Sequence, residues 1–394
     1  MSNLKAVTIG EFIDFNPSEK LQKNTTAKKI PMDKLGTFER KIKGFELSEY
    51  KSGPKFKNKD TLLAKITPCL ENGKTALVDI LEDNEIAFGS SEFIVLRNNE
   101  LSDYKFIYYL ARSPYFREKA ISCMEGTSGR KRVNEGALKN LNINVPSLSI
   151  QQKIAKILSD LDDKIEVLNQ LNDNLAQLAK TIYDYWFVQF DFPDESGKPY
   201  KSSGGKMVYN EILKREIPEG WEVKKLGKYA LIKKGTLITE KQANTSGNIK
   251  VVSAGLDFSY YHDESNFSEN TITISASGAN AGIINFWREP IFACDCTIVR
   301  GNSLTETLYI YQSLKILQEH IYRQAKGSAQ PHIYPTDIEV LDIILPTQEI
   351  LGNFGKFVNN SNQKILLNQQ QIHHLQSLRD TLLPMLMNGQ VEVQ

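Results

Sequence analysis

Apolar residues recur every three or four positions between Ser149 and Phe187, at Ile154, Ile157, Leu161, Ile165, Leu168, Leu171, Leu175, Leu178 and Ile182. That spacing predicts the seam of one long coiled-coil helix rather than a globular helix of three turns. Ser149 and Gln152 form a capping-box start, and Pro146 blocks an earlier one. At 1.5 Å per residue, a helix of about 38 residues reaches about 57 Å, longer than most domains are wide.

The pattern returns 200 positions later, where Pro346 answers Pro146. At that offset Leu341, Ile343, Ile350, Lys356, Lys364, Ile365, Leu375, Leu378 and Thr381 repeat Leu141, Ile143, Ile150, Lys156, Lys164, Ile165, Leu175, Leu178 and Thr181. Charged and hydroxylated identities in a gapless match go beyond shared helical period, and they indicate an internal duplication. The second run is less apolar. Ser361 and Asn368 stand where Leu161 and Leu168 stand, and Pro384 kinks or ends the helix near its last turns. Two such helices can bury their seams as an antiparallel pair, with polar seam positions fixing register.

Ahead of each long helix the pattern shortens. Asp60–Lys65, Ala76–Ile80 and Ala87–Arg97 read as strands, with a turn around Leu70–Lys74. Residues up to about Phe56 are polar and show no clear period. Ser102 is expected to cap a helix through Arg112, and Pro114 to open another through Cys123. Gly126–Arg132 is a loop with three consecutive cations, and Leu141–Val145 is a strand returning the chain to Pro146. Residues 191–220 read as a surface linker rich in Gly, Ser, Pro and charge. After it the plan recurs: strands at Thr271–Ser275 and Ile291–Arg300, a helix capped by Ser303, a loop at Lys326–His332, then Ile338–Leu345 leading to Pro346.

The expected fold class is therefore α+β, with two globular domains at 1–146 and 221–346 separated by two long helices at 147–190 and 347–394. The helices pair as an antiparallel coiled coil, and the halves form an internal pseudo-twofold repeat. Within each half the exit helix stays similar while the globular part diverges, as in a holder presenting two different readers.

The chain has 394 residues, with 48 Lys and Arg against 47 Asp and Glu, so only local basic patches can speak for a polyanion partner. Met1–Gly10 lacks the basic and apolar regions of a leader, and no stretch nears the ~18 apolar residues of a membrane span, so a cytoplasmic protein is expected. Four cysteines show no disulfide framework. Cys294 and Cys296, two apart on an expected strand, read as buried reduced thiols rather than zinc ligands, since two further ligands are missing.

Catalytic signatures are missing. No G-x-x-x-x-G-K-[ST] loop occurs, and Gly204-Gly205-Lys206 lacks the strand and helix such a loop needs. Asn16-Pro17-Ser18 fails the pattern of an adenine methyltransferase at its third position. Pro193-Asp194 with Glu195 and Lys198 departs from a nuclease metal motif by one residue of spacing. His373 and His374 read as solvated helix positions. What remains is binding: Lys55, Lys57 and Lys59, the Arg130–Arg132 triplet, and the cluster Lys224, Lys225, Lys228, Lys233 and Lys234 can each neutralise phosphates.

At this point the chain resembles the specificity (S) subunits of type I restriction-modification systems. The resemblance covers essentially the whole length. It is carried by Leu178–Pro193 (LAKTIYDYWFVQFDFP), Gly197–Glu222, Leu378–Gly389 (LRDTLLPMLMNG), and Ile66–Lys74 with Gly89–Arg97 (ITPCLENGK and GSSEFIVLR). It implies two target-recognition domains, each reading one half of a bipartite, asymmetric site in double-stranded DNA, with the helix pair setting the unread spacer. It also implies two modification (M) subunits that bind S-adenosylmethionine and methylate adenine N6, and restriction (R) subunits driven by ATP and Mg²⁺. No cofactor is expected in this chain, which is read as non-catalytic. Candidate DNA contacts are Lys65, Lys74, Arg130, Lys131, Arg132, Ser277, Asn280, Lys326, Ser328, Gln330 and His332. Two rival readings are an adenine methyltransferase carrying its own recognition domains, and a coiled-coil scaffold that binds no DNA.

Overall fold

A computed structural model describes residues 4–127, 129–242, 247–325 and 331–391. It divides into two compact units. One takes residues up to Val167 together with those from Gln371, and the other takes Leu168–Gln370. Each unit therefore owns part of both long helices, whereas the sequence pattern treated the helices as bodies of their own.

The first unit opens with β1 (Lys5–Thr8), a single turn α1 (Ile9–Phe12) and β2 (Ile13–Phe15). Thr8 and Glu11 close a reciprocal capping box on α1. The stretch before Phe56, which shows no sequence period, forms β3 (Thr26–Ile30), β4 (Glu46–Glu49) and β5 (Lys55–Phe56). These strands are short and sit half-exposed, so alternation has too few positions in which to show. Then follow β6 (Thr61–Ala64), β7 (Thr75–Leu77), β8 (Ala87–Gly89) and β9 (Phe93–Asn98). One antiparallel sheet runs β2-β9-β6-β7 and a second runs β4-β3-β8-β5, with β3 and β8 parallel. Phe93, Ile94, Val95 and Leu96 are all buried, because the first sheet is covered on both faces.

Helices α2 (Tyr104–Arg112) and α3 (Pro114–Ser122) come next. Asp103, not Ser102, caps α2, accepting from the Phe106 amide at 2.9 Å. The Ser102 hydroxyl instead accepts from Asn99 in the preceding turn. After β10 (Met124–Glu125), β11 (Arg132–Val133) and α4 (Glu135–Lys139), strand β12 (Asn142–Val145) pairs back on β1 and feeds α5 (Leu148–Tyr183). Ser149 thus lies inside the first turn of α5 rather than at its cap.

The second unit repeats this plan. A π-turn at Asp184–Val188 ends α5. The expected linker is instead ordered: β13 (Met207–Asn210) and β14 (Arg215–Pro218) form a hairpin. Phe190, Phe192, Ile217 and Trp221 are buried around it, and Phe192 stacks between Tyr200 and Trp221 at 4.6 and 5.1 Å. Polar turn residues hid these four apolar anchors. Next come β15 (Glu222–Lys225), β16 (Leu231–Lys234), β17 (Ile249–Val252), β18 (Phe258–His262), β19 (Thr271–Ser275), β20 (Ile284–Trp287), β21 (Ile291–Ala293) and β22 (Cys296–Arg300). The sheet β16-β22-β19-β20 matches β2-β9-β6-β7, and the parallel pair β17/β21 matches β3/β8. Cys294 lies in the connection before β22, not on one strand with Cys296. Both are buried, and burial pushes the Cys296 thiol up to about 12.

Helices α6 (Leu304–Ile316), α7 (Gln318–Gln324) and α8 (Pro335–Glu339) lead to β23 (Asp342–Leu345), which pairs with β15 as β12 pairs with β1. The Ile9 amide donates to Leu141 O at 2.9 Å, and the Leu226 amide donates to Leu341 O at 2.8 Å. Gly10 and Gly227 follow these residues. A Cβ there would stand 3.1 Å from Lys139 Cβ and 2.9 Å from Glu339 Cβ, so both copies need glycine for the same close approach. The last element is α9 (Gln348–Met387), which continues three residues past Pro384.

Within each unit the long helices run antiparallel. In the first, the Asp162 carboxylate meets the Arg379 guanidinium at 2.5 Å, both side chains nearly inaccessible. In the second, the Asn368 amide donates to Asn172 at 2.8 Å, and Trp186 and Phe187 pack on Phe354. The buried stripe of α5 includes Ile154, Leu158, Asp162, Ile165 and Leu168. Ile157, Leu171 and Leu178, expected in the seam, face outward instead. Following apolar residues alone steers around the polar seam positions and so drifts off the true stripe.

Candidate nucleic-acid interface

In both units the strand ends of the main sheet meet a loop from beyond the small helices, and the same backbone bonds hold them. In the first, the Lys65 amide donates to Glu92 O at 2.9 Å, the Val133 amide to Lys65 O at 2.9 Å, and the Thr67 amide to Lys131 O at 3.0 Å. In the second, the Ala276 amide donates to Asp295 O at 3.2 Å, the Ile333 amide to Ala276 O at 2.9 Å, and the Gly278 amide to Pro331 O at 3.0 Å. Isolated bridges complete the match, Ile66 with Arg132 and Ser277 with His332. Three chain segments are thus knotted at one point in each unit by identical main-chain bonding. Residues 65, 92 and 132 in one correspond to 276, 295 and 332 in the other.

This junction gathers several of the sequence candidates. Lys65 follows the last residue of β6, and its ammonium lies 3.5 Å from Glu135. Arg132 is half-exposed, and its Nε and Nη2 both donate to the Glu92 carboxylate, at 2.7–3.1 Å. That guanidinium holds the Glu92 carboxyl below the usual carboxylate range. Arg130 and Lys131 are exposed beside it. In the second unit the Ser277 hydroxyl donates to the Asp295 carboxylate, and the His332 ring lies nearly parallel to Tyr334 at 6.1 Å. Asn280 ends the tight turn Gly278–Asn280 next to Ser277. Lys326, Ser328 and Gln330 lie outside the described residues.

Lys74 does not join the junction. Its ammonium donates to Met32 O at 3.0 Å and is partly buried, so it braces the polar segment before β4. Three of the eight lysines in the other basic clusters are ion-paired as well: Lys57 with Glu19, Lys224 with Glu222 and Lys225 with Asp342. Pairing of this kind explains why counting cations in sequence overstates the free positive surface.

Glu92 and Asp295 were absent from the sequence candidates. Each stands immediately before the first residue of its strand, β9 or β22, and five residues before a strand arginine, Arg97 or Arg300. That shared acid-to-arginine spacing was the available signal, obscured because the two strands differ at every position between the acid and the arginine. Among the described residues, no group of three or more His, Cys, Asp or Glu side chains is gathered as a metal site. No described helix is long and apolar enough to cross a membrane.

A family model described as the type I restriction modification DNA specificity domain matches residues 1–177 and again 218–377. The MjaIX specificity subunit of Methanocaldococcus jannaschii is 30% identical over 323 residues, covering 76% of this chain and 72% of that one. The HindI specificity subunit of Haemophilus influenzae is 24% identical, over 99% of this chain and 100% of its own. The crystal structure of the type I system S subunit from M. genitalium superposes with a TM-score of 0.60 at 21% identity, covering 98% and 96% of the two chains, and so shares the fold.

Proposed function

The chain belongs to the type I restriction-modification DNA-specificity family, and on that premise we propose that it recognises a two-part DNA target on behalf of partner subunits. In this reading each unit reads one half of the target, the paired helices set the unread gap, and the chain performs no chemistry itself. S-adenosylmethionine belongs to the two M subunits, and ATP with Mg²⁺ to the R subunits. The observation that carries the reading is the junction built twice on one main-chain frame with different side chains. One frame with exchanged side chains suits two readers of unlike sequences.

The docking of two M subunits is supported by a second repeat. Ile157, Val167 and Leu378 in the first unit, and Phe357, Leu367 and Leu178 in the second, are exposed apolar side chains. Each has its counterpart 200 positions away. Outward apolar residues kept at matching places on both helices suit two copies of one partner.

The test is co-expression with the neighbouring M subunit and mapping of N6-methyladenine across the host genome. A two-part motif with an undefined gap is the expected result. Inserting about one turn (roughly four residues, ~6 Å) into both long helices should then widen the gap by about one or two base pairs. No new methylation from an assembled complex would favour the scaffold alternative, and methyl transfer by the chain alone would revive the methyltransferase one.

A further inference from the structure

The matched positions of the junction carry opposite chemistries. In the first unit Glu92 clamps Arg132 through two of its nitrogens. A guanidinium has five N–H donors in a fixed fork, so the remaining donors are held in one orientation. That is the geometry that reads the O6 and N7 acceptors of guanine in the major groove. In the second unit the equivalent carboxylate, Asp295, meets no guanidinium or ammonium among the described residues. Its partner there is the Ser277 hydroxyl. An ionised carboxylate only accepts, and the base groups that suit it are the amino groups of cytosine N4 and adenine N6. The residue matched to Lys65 is Ala276, which adds no competing cation.

We infer that Glu92 and Asp295 decide which base each unit selects at this point. Glu92 is a positioning residue that aims Arg132 at a guanine, and Asp295 accepts directly from a base amino group. This rests on the reading of the chain as a DNA specificity subunit. It predicts that the two halves of the target differ in kind, one containing a guanine that depends on Arg132, the other an amino-bearing base that depends on Asp295.

The experiment uses the M-containing complex and oligonucleotides changed one base at a time, with genome methylation mapping beside it. E92A should cut discrimination at one guanine of one half-target by roughly tenfold to a hundredfold, with E92Q between E92A and wild type. The other half should be unmoved. E92A/R132A should be no worse than R132A, as expected of a residue acting through Arg132. D295A, and more mildly the isosteric D295N, should relax one amino-bearing position in the opposite half. Uniform weakening at every position, or discrimination equal to wild type, overturns the inference while leaving the two-part target standing. Absence of any two-part target with the wild-type complex overturns the parent reading and this inference with it.

Discussion

Replacing Arg379 with alanine strands a carboxylate that has almost no access to water. Asp162 and Arg379 are 4% and 6% exposed at their side chains, so solvent cannot take over either partner's role. Removing one member of such a pair costs about 3–5 kcal/mol, because the survivor keeps its desolvation penalty without its compensation. The Tyr109 hydroxyl still donates to Asp162 at 2.7 Å, which places the expected loss near the lower end, about 3 kcal/mol. At about 2–4 °C per kcal/mol for a unit of this size, melting of the first unit should fall by about 6–12 °C. Calorimetry gives the shift, and amide exchange along Ile154–Ile165 and Ile372–Leu383 reports whether it originates in the helix pair. The triple variant Y109F/D162L/R379L, which also removes the hydroxyl that D162L would strand, should recover most of the loss, since a well-packed apolar replacement of a buried network is neutral to stabilising. The reasoning is refuted if R379A melts within about 2 °C of wild type, or if the triple variant is worse than the single change.

Three further outcomes are expected. Substituting Arg130 and Lys131 with alanine should lower the slope of log affinity against log salt by about 1.8, roughly 0.9 for each phosphate no longer neutralised. Filter binding over a salt series measures this, and an unchanged slope would remove both residues from the phosphate backbone. Changing Ile157, Val167 and Leu378 to serine should reduce the complex from two M subunits to one in native mass spectrometry, with the Phe357, Leu367 and Leu178 set giving the same loss independently. Because Arg132 holds the Glu92 carboxyl low, their interaction is present above the ordinary carboxylate pKa and is lost as pH falls through the lowered value. The affinity difference between wild type and E92Q should therefore stay constant from about pH 8 to 5 and collapse only below about pH 4.

The large plan was legible because it rests on long periodic signals. Pro146 and Pro346, with the identities around them, announced the duplication, and the matching β1/β12 and β15/β23 pairs bear it out. Strand β9 was readable from its run of apolar residues. Less was visible wherever a polar residue did an apolar residue's job. Asp162 and Asn172 sit in the α5 seam, so a search for apolar spacing replaced them with Ile157 and Leu171, whereas Asn368, read as a polar seam position from its match to Leu168, is buried there. The hairpin after α5 was hidden for the converse reason: isolated aromatics among turn residues carry no period. At the junction, Arg132 was found by its charge, but Glu92 and Asp295 acquire meaning only when the backbone brings segments some 40 residues apart together.

A chain made of two copies of one plan carries a hazard: each long helix has a near-duplicate of its proper mate in every other molecule. If α5 of one molecule paired with α5 of another in the native register, Asp162 would face Ala179 and Asn172 would face Leu168. If α9 paired with α9, Arg379 would face Asn362 and Asn368 would face Ile372. Every polar seam group that is matched within the molecule would then be left without its mate, and twice over in a symmetric dimer. The ion pair and the Asn172–Asn368 bond therefore do more than set register: they make α9 a better mate for α5 than a second α5, and so penalise like-with-like pairing between molecules. A seam of uniform leucines would pack as well and would not tell α9 from α5.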